Sequence, residues 1–228
     1  MKKIILILMI LLSVVYVKSQ TLLSESFENG IPATWLNVDA DGDGYVWQVA
    51  SFSTDSLVAH SGDKSAISFS YDNNTVMALT PDNYLITSAV AIPAQGATLT
   101  YWVVAQDQDW ADEHYSIKVS TSGTSPANFT TIFQETISRG PWLQKTVSLS
   151  AYAGQTIYVA FVHNNSTDEF AIKFDDIAIE AGNITPPPPP GYATIVLEAY
   201  DVWGDYTGYQ ILLDADALEY TNMSGGFT

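Results

Sequence analysis

The chain has 228 residues, with 8 Lys or Arg against 25 Asp or Glu, so its formal net charge at pH 7 is −17. This charge argues against nucleic acid and against an anionic membrane surface as partners, because both would repel the chain, and it agrees with binding of divalent cations. The chain contains no Cys, which excludes disulfides, thiol nucleophiles and thiolate metal ligands.

Residues 1–19 have the composition of a secretory signal peptide. Two lysines precede an apolar stretch that runs from Ile4 to Val17, and Val17 and Ser19 stand where a signal peptidase selects small residues. The stretch is short for a membrane span, so a cleaved signal is favoured over an anchor. We therefore expect a secreted or extracellular protein, attached to the cell surface or free, that begins at Gln20.

The run DADGDG at residues 39–44 places three carboxylates at alternate positions. Calcium takes six to eight oxygen ligands, and a D-x-D-x-D-G loop offers side chains at its first, third and fifth places, a glycine turn at the sixth and a backbone carbonyl at the seventh, here Tyr45. The twelfth place holds Ala50 instead of Glu, so the other ligands would come from elsewhere in the chain. The alternative is a solvated turn, since Asp and Gly are common turn residues.

Alternating apolar and polar residues predict strands throughout the middle of the chain, without a helical period. The predicted strands are 98–106, 114–122, 129–137, 144–150, 156–164 and 170–180. Strands at this spacing without intervening helices indicate an all-β jelly-roll or related β-sandwich. In the last strand, regular alternation would put Ile172, Phe174 and Asp176 on one face and Lys173, Asp175 and Ile177 on the other.

Trp110 lies in the polar loop QDQDWADE, where no strand pattern explains it. It could stack on a sugar or anchor a protein partner, or it could fold back over an edge of the sandwich. Catalysis is not indicated, because no G-x-S-x-G motif is present and the three histidines lack metal spacing. Glu113 and Glu135 would need carboxyl groups about 5–9 Å apart to act as a glycosidase pair, which the sequence does not fix.

Residues 182–191 form a linker, because five consecutive prolines from Pro186 to Pro190 favour a stiff extended helix. Residues 192–228 have two strand-like stretches around a turn, which are too few residues for an independent β core. We expect this segment to be the start of a second module in a longer multidomain protein.

Several stretches, in this order, resemble the cleaved-adhesin domains that are repeated in gingipains and related hemagglutinins of Bacteroidetes. They are LSESFENGIPATW (23–35), DADGDGYVW (39–47), LTPDNYLITSAV (79–90), YWVVAQDQDWADEHYSIKVSTSG (101–123), WLQKTVSLSAYAGQTIYVAFVHNNSTDEF (142–170) and IKFDDIAI (172–179). The tail DVWGDYTGYQILLDAD (201–216) is similar to another module of the same hemagglutinins. The resemblance implies a calcium-stabilised jelly-roll domain over residues 20–181, roles in adhesion and hemagglutination, and no peptidase activity in this chain.

The resemblance also implies one calcium ion that ties together the first strand, a following loop and the last strand. The ligands at matching places are Glu25 or Glu28 near the first strand, Asp39, Asp41 and Asp43 in the loop, and Asp175 in the last strand. The turn HSGDKS (60–65) could add backbone oxygens or Asp63, besides the Tyr45 carbonyl that the loop spacing offers. A second cation could use Asp107, Asp109, Asp112 or Glu113.

Two functions remain open at this point. The first is a non-catalytic, calcium-stabilised adhesin that binds host cells, matrix proteins or glycans. The second is a carbohydrate-binding accessory module of a larger secreted enzyme. Sequence does not name the ligand, because loops determine recognition and tolerate variation.

Overall fold

The computed structural model describes residues 19–51, 57–138 and 140–182, together with the backbone of 192–200 and 206–214. Two compact units are present, Met1–Asn183 and Ile184–Thr228. Most of the predicted signal peptide and the prolines of the predicted linker lie outside the described residues. In the part of the chain that is described, no helix has both the length and the apolar character that a membrane span requires.

The regular secondary structure described in the first unit is almost entirely strand, as the alternating pattern predicts. They are β1 (Thr21–Glu25), β2 (Leu36–Asp39), β3 (Gln48–Ala50), β4 (Ser65–Phe69), β5 (Tyr71–Asp72), β6 (Met77–Ala78), β7 (Asp82–Ile86), β8 (Val90–Ala91), β9 (Ala97–Ala105), β10 (Glu113–Ser120), β11 (Thr130–Ile137), β12 (Leu143–Ser148), β13 (Thr156–Asn164) and β14 (Ala171–Ala181). Two single-turn 3₁₀ helices, Pro126–Asn128 and Ser150–Tyr152, connect strands.

Twelve of these fourteen strands form two six-stranded sheets, and β5 and β6 form a two-stranded hairpin of their own. The first sheet has the order β12-β9-β14-β4-β3, and β1 pairs with the second half of β14. The second sheet has the order β11-β10-β13-β7-β2. β8 pairs with the first two residues of β13, and β7 pairs with the rest of that strand from Ala160 onward. All these pairs are antiparallel. The predicted all-β sandwich is therefore confirmed.

Aromatic side chains from both sheets fill the space between them. Tyr101 from β9 and Phe174 from β14 meet Tyr115 from β10 and Phe161 from β13, with ring centroids 5.1–6.1 Å apart, mostly edge to face. All four residues are fully buried. Such edge-to-face pairs contribute about 0.5–1.5 kcal/mol each beyond the burial of their area.

The last strand departs from regular alternation at a bulge. Its register against β9 shifts between Asp175 and Ala178, and Asp176 has a φ of 43°. Because the bulge adds one residue, Ile177 returns to the core beside Ile172 and Phe174. The prediction that Ile177 shares a face with Lys173 and Asp175 is wrong for this reason.

The second unit is described by its backbone alone. Strands β15 (Tyr192–Tyr200) and β16 (Tyr206–Asp214) form an antiparallel pair in which Tyr192 faces Asp214 and Tyr200 faces Tyr206.

Candidate metal and ligand-binding sites

The acidic loop follows β2, an edge strand of the second sheet, where Asp39 pairs with Asn83. Gly42 and Gly44 have φ values of 80° and 88°, which glycine adopts without the strain of a Cβ. These turns bring the amides of both glycines to the Asp39 carboxylate, at 2.6 Å to Oδ1 and 2.8 Å to Oδ2. The loop is thus wrapped around its first carboxylate.

The side chains of Asp39, Asp41 and Asp43 converge. A ligand oxygen from each lies within 4.8 Å of the others, and in the described part of the chain no other group of three His, Cys, Asp or Glu side chains meets this condition. Desolvation by the loop, the hydrogen bond with Asp39 and the charge of Asp43 raise the pKa of Asp41 to about 6. The Gly44 amide, Asp41 and the Gly42 amide lower the pKa of Asp39.

A hard cation fits this arrangement. The three acids supply carboxylate oxygens from the first, third and fifth places of the loop, which are calcium ligands by type and spacing. Desolvation is the main cause of the raised pKa of Asp41, and the charge of Asp43 adds to it, so a divalent ion at this point would favour the ionised form of the three acids.

Tyr45 fastens the end of the loop to the neighbouring hairpin. Its amide donates to Asp43 Oδ1 at 2.8 Å, and its hydroxyl donates to Asp72 Oδ2 at 2.6 Å. Asp72 belongs to β5, so the acidic loop and the β5–β6 hairpin are linked by a side-chain hydrogen bond.

The carboxylates of Glu25 and Glu28 accept hydrogen bonds from backbone amides outside the acidic loop. Glu25 Oε1 accepts the Phe27 amide at 2.6 Å. Glu28 Oε1 accepts the amides of Asp63 and Lys64, each at 2.9 Å, and the Lys64 ammonium donates to the Glu28 carbonyl at 2.6 Å. Glu28 therefore holds the turn that contains Asp63.

Asp175 organises the other end of the same turn. Its Oδ2 accepts the amides of His60 and Ser61 at 2.8 and 3.2 Å, and its Oδ1 accepts the Asp176 amide at 2.7 Å. Burial raises the pKa of Asp175 to about 6. The His60 ring stacks on Trp102 at 3.7 Å and bonds to Asp176 at 2.6 Å.

The structure thus divides the eight predicted ligands among different surroundings. Asp39, Asp41 and Asp43 share one centre, with Tyr45 at its border. Glu28 and Asp175 instead receive backbone amides from residues 60–64, and Asp63 takes part through its own amide.

The acids predicted for a second cation are not brought together. Asp107 Oδ1 accepts the Asp109 amide at 2.8 Å, and the Asp112 amide points to Glu169 Oε2 at 3.4 Å. Glu113 turns inward and has no exposed surface. Because Glu113 is the first residue of β10, strand alternation directs its side chain between the sheets.

Glu113 is the centre of a buried polar network that sequence reasoning did not predict. Its Oε2 lies 2.8 Å from His163 Nε2, and its Oε1 accepts the Ser70 hydroxyl at 2.7 Å and the Phe170 amide at 3.1 Å. His163 Nδ1 lies 2.9 Å from Ser68 Oγ. The network joins both sheets, and His163 in a predicted strand was its one visible signal.

Trp110 is exposed by 55% and lines a cleft of ≈ 330 Å³ with Tyr71, Asn73 and Phe170. A second cleft of ≈ 510 Å³ also has Tyr71, Asn73 and Phe170 in its wall. Both volumes lie in the range of small-molecule sites. The run YDNN at 71–74 has turn-forming residues after an aromatic ring, but nothing in the sequence places it beside Trp110.

Comparison with known proteins agrees with this architecture. Residues 20–179 match the model of the Cleaved Adhesin Domain family, and residues 188–226 match a domain of unknown function, DUF2436. Gingipain R1 of Porphyromonas gingivalis is 43% identical over 176 residues, which cover 71% of this chain and 10% of gingipain R1. Hemagglutinin A of the same organism is 40% identical over 184 residues, which cover 71% of this chain and 7% of hemagglutinin A.

A solved structure supports the same assignment. The crystal structure of the K1 cleaved adhesin domain of Lys-gingipain from P. gingivalis has 43% sequence identity and a TM-score of 0.65, over 72% of this chain and 99% of that domain. The chain spans about a tenth of the length of gingipain R1, and the part that it matches is an adhesin domain and not a catalytic domain. The chain belongs to the cleaved-adhesin family.

Proposed function

We propose that this chain is an exported adhesin module that binds host cells, matrix proteins or glycans through the loops around Trp110. The observation that carries the proposal is the exposure of this Trp by 55% at a cleft, in a domain of the cleaved-adhesin family. A large aromatic side chain exposed beside a cleft is a typical anchor for a partner, because its burial on binding is favourable. The lysines and apolar residues before Gln20 support export.

Calcium is the proposed structural ion. Asp39, Asp41 and Asp43 would hold it, with the Tyr45 carbonyl as a further ligand, and the ion would supply the positive charge that their repulsion requires. Because Tyr45 also bonds to Asp72, an ordered acidic loop supports the β5–β6 hairpin, which lines the cleft.

The burial of Glu113 supports a non-catalytic module. A glycosidase pair needs two carboxyl groups that reach one glycosidic bond. Glu113 has no exposed surface and is bonded to His163, whereas Glu135 is bonded to Tyr115 and Lys145. Both carboxyl groups are therefore engaged by neighbouring side chains of the same domain.

Binding of the full chain to erythrocytes and to immobilised fibrinogen tests the proposal. We expect saturable binding to at least one of them, and at least a tenfold loss of affinity in Trp110→Ala. Leu36→Ala is the matched control, because Leu36 is exposed by 44% but lies on β2 of the opposite sheet. Absence of binding to both surfaces, by a chain that unfolds cooperatively, would contradict the adhesin function.

The cleft favours one alternative, a carbohydrate-binding accessory module of a larger secreted enzyme. Its aromatic and amide lining suits a sugar as well as a protein. Glycan binding without any binding to cells or fibrinogen would support this alternative.

A further inference from the structure

We propose that the two clefts form one groove that binds a neutral oligosaccharide, a ligand class that deepens the proposed adhesin function and rests on it. The clefts share three lining residues, Tyr71, Asn73 and Phe170. Trp110 stands at one end of this groove, and Gln48 and Tyr45 stand at the other.

The groove crosses the strands of the first sheet. Its walls use Gln106 just after β9, Phe170 just before β14, Phe69 on β4 and Gln48 on β3, which are neighbours in this order. Since adjacent strands are about 4.8 Å apart, the path from β9 to β3 covers three spacings, or roughly 14 Å. This length suits several linked sugar units better than a single one.

The floor of the groove is aromatic and apolar. Phe69 and Phe170 meet edge to face at 5.9 Å, beside Ile67. In β4, Ile67 and Phe69 point away from the core, while Ala66 packs into it and Ser68 bonds to the buried His163. Ring faces of this kind stack on the C–H face of a sugar and tolerate several sugar types.

The polar groups of the groove suit hydroxyl groups. Four side-chain amides line it, from Gln48, Asn73, Asn74 and Gln106, and each can donate and accept. The Gln106 Oε1 atom is buried without a hydrogen-bond partner, a state that costs free energy in a protein interior and that a bound hydroxyl could relieve through rotation of the amide.

The charge of the groove excludes acidic ligands. None of the described residues that line it is Lys, Arg or His, whereas Asp72, Asp107, Asp168 and Glu169 are present. The charged groups that sialylated or sulfated glycans would meet among these residues are all carboxylates, which would repel them. Neutral sugars can donate their hydroxyl protons to the carboxylates of Asp107, Asp168 and Glu169.

A basic peptide is the other class that these carboxylates could attract, and the amides argue against it. Lys and Arg side chains carry donors and no acceptors, so the amide N–H groups of the groove could pair only with the backbone carbonyls of such a peptide and not with its basic side chains. Asp72 is also engaged already, since it accepts from the Tyr45 hydroxyl, the Thr75 hydroxyl and the Asn74 amide. A sugar hydroxyl both donates and accepts, and so it matches the whole lining.

The groove is held in place from inside the sandwich. Glu113 accepts the Phe170 amide and the Ser70 hydroxyl, and the Ser70 amide donates to the Phe170 carbonyl at 3.0 Å. The end of β4 and the residue before β14 are therefore fixed before a ligand arrives. Such preorganisation lowers the entropic cost of binding.

The test is binding of the full chain to immobilised neutral tri- to hexasaccharides built on glucose, mannose, galactose or N-acetyllactosamine. The same chains carrying sialic acid or sulfate, and an oligolysine peptide, are tested in parallel. We expect binding to one or more neutral chains only, lowered at least tenfold by Trp110→Ala and by Asn73→Ala. Trp110→Phe should retain part of the affinity, because it keeps a ring.

Asn128→Ala is the matched control, since Asn128 is also exposed but lies between β10 and β11. Binding only to the acidic glycans or only to oligolysine would overturn the proposal, and so would neutral binding that both groove variants retain. If no oligosaccharide binds while Trp110-dependent binding to erythrocytes or fibrinogen persists, the glycan inference fails and the adhesin function stands. If binding to cells and to fibrinogen is also absent, both fail.

Discussion

Two acidic stretches of this domain look alike in sequence and differ completely in structure. In DADGDG, three carboxylates turn toward one another around glycines with positive φ. In QDQDWADE, the acids disperse, and Glu113 enters the core. The difference lies in the local backbone: the first stretch leaves β2 at Asp39 and continues as a loop, whereas the second runs into β10, whose alternation places Glu113 between the sheets. Spacing of acids predicts convergence of their carboxylates only where strand alternation does not direct the side chains apart.

The largest effect should follow from breaking the buried end of the second stretch. Glu113→Ala leaves His163, the Ser70 hydroxyl and the Phe170 amide without their shared partner. We expect the free energy of unfolding to fall by about 3–5 kcal/mol, the usual result of removing one member of a buried pair. Urea unfolding measures this. Glu180→Ala, at an exposed position of β14, is the control, and an equal change in both variants would show that the network does not stabilise the fold.

Calcium should stabilise the first stretch. At a concentration about one hundred times its Kd, a ligand that binds only the folded state raises the free energy of unfolding by about 2.7 kcal/mol. Thermal unfolding in calcium and in excess EGTA measures the difference. Identical melting curves in the two conditions would rule out a structural ion.

Asp41→Asn makes that measurement specific to the loop. In EGTA this variant should be at least as stable as the parent chain, because it removes the carboxyl group whose pKa is raised to about 6 by its surroundings. In calcium it should be less stable than the parent chain, because it has lost a carboxylate ligand. If the stability difference between the variant and the parent chain has the same sign in EGTA and in calcium, Asp41 is not a ligand of the ion.

Gly44→Ala should cost about 1 kcal/mol in EGTA, because its φ of 88° lies in the left-handed region while no atom within 4 Å would meet the new Cβ. Gly44→Asn should cost less, since Asn tolerates this region better. Urea unfolding of the two variants side by side checks this order. If Ala is the better tolerated of the two, the turn does not require a left-handed residue.

The smallest effect on stability should come from substitution of an exposed acid in the second stretch, QDQDWADE. Asp112→Asn, at an exposed position, should change the free energy of unfolding by less than about 0.5 kcal/mol and should leave the calcium-induced shift unchanged. A smaller calcium shift in this variant would show that QDQDWADE holds an ion after all.

The long strands were predictable because their alternation is strong. The stretch 156–164 was predicted with the bounds that β13 has, and the other five were within about two residues of β9, β10, β11, β12 and β14. The short strands β5, β6 and β8 have two residues each, which is too few for a period to show. The bulge at Asp176 was not predictable from the alternating pattern, because that pattern assumes a strand with a regular pleat.

The site was predictable only where it is local. Asp39, Asp41 and Asp43 are close in sequence, and their convergence follows from the turn between them. The groove joins residues from 45–48, 67–74, 106–110 and 168–170, which only the strand order brings together. Likewise, the turn that contains His60 reaches Asp175 across 115 positions of the chain.

The pairing of β1 with β14 determines how the domain would respond to tension. The two strands run antiparallel, with Thr21 beside Glu180, and the Gln20 carbonyl accepts the Ala181 amide at 2.8 Å. The first and last residues of the domain therefore lie side by side at the same end of this strand pair. Tension applied between these two residues would break the hydrogen bonds between β1 and β14 one after another. The force needed to detach β1 from the sheet should therefore be low.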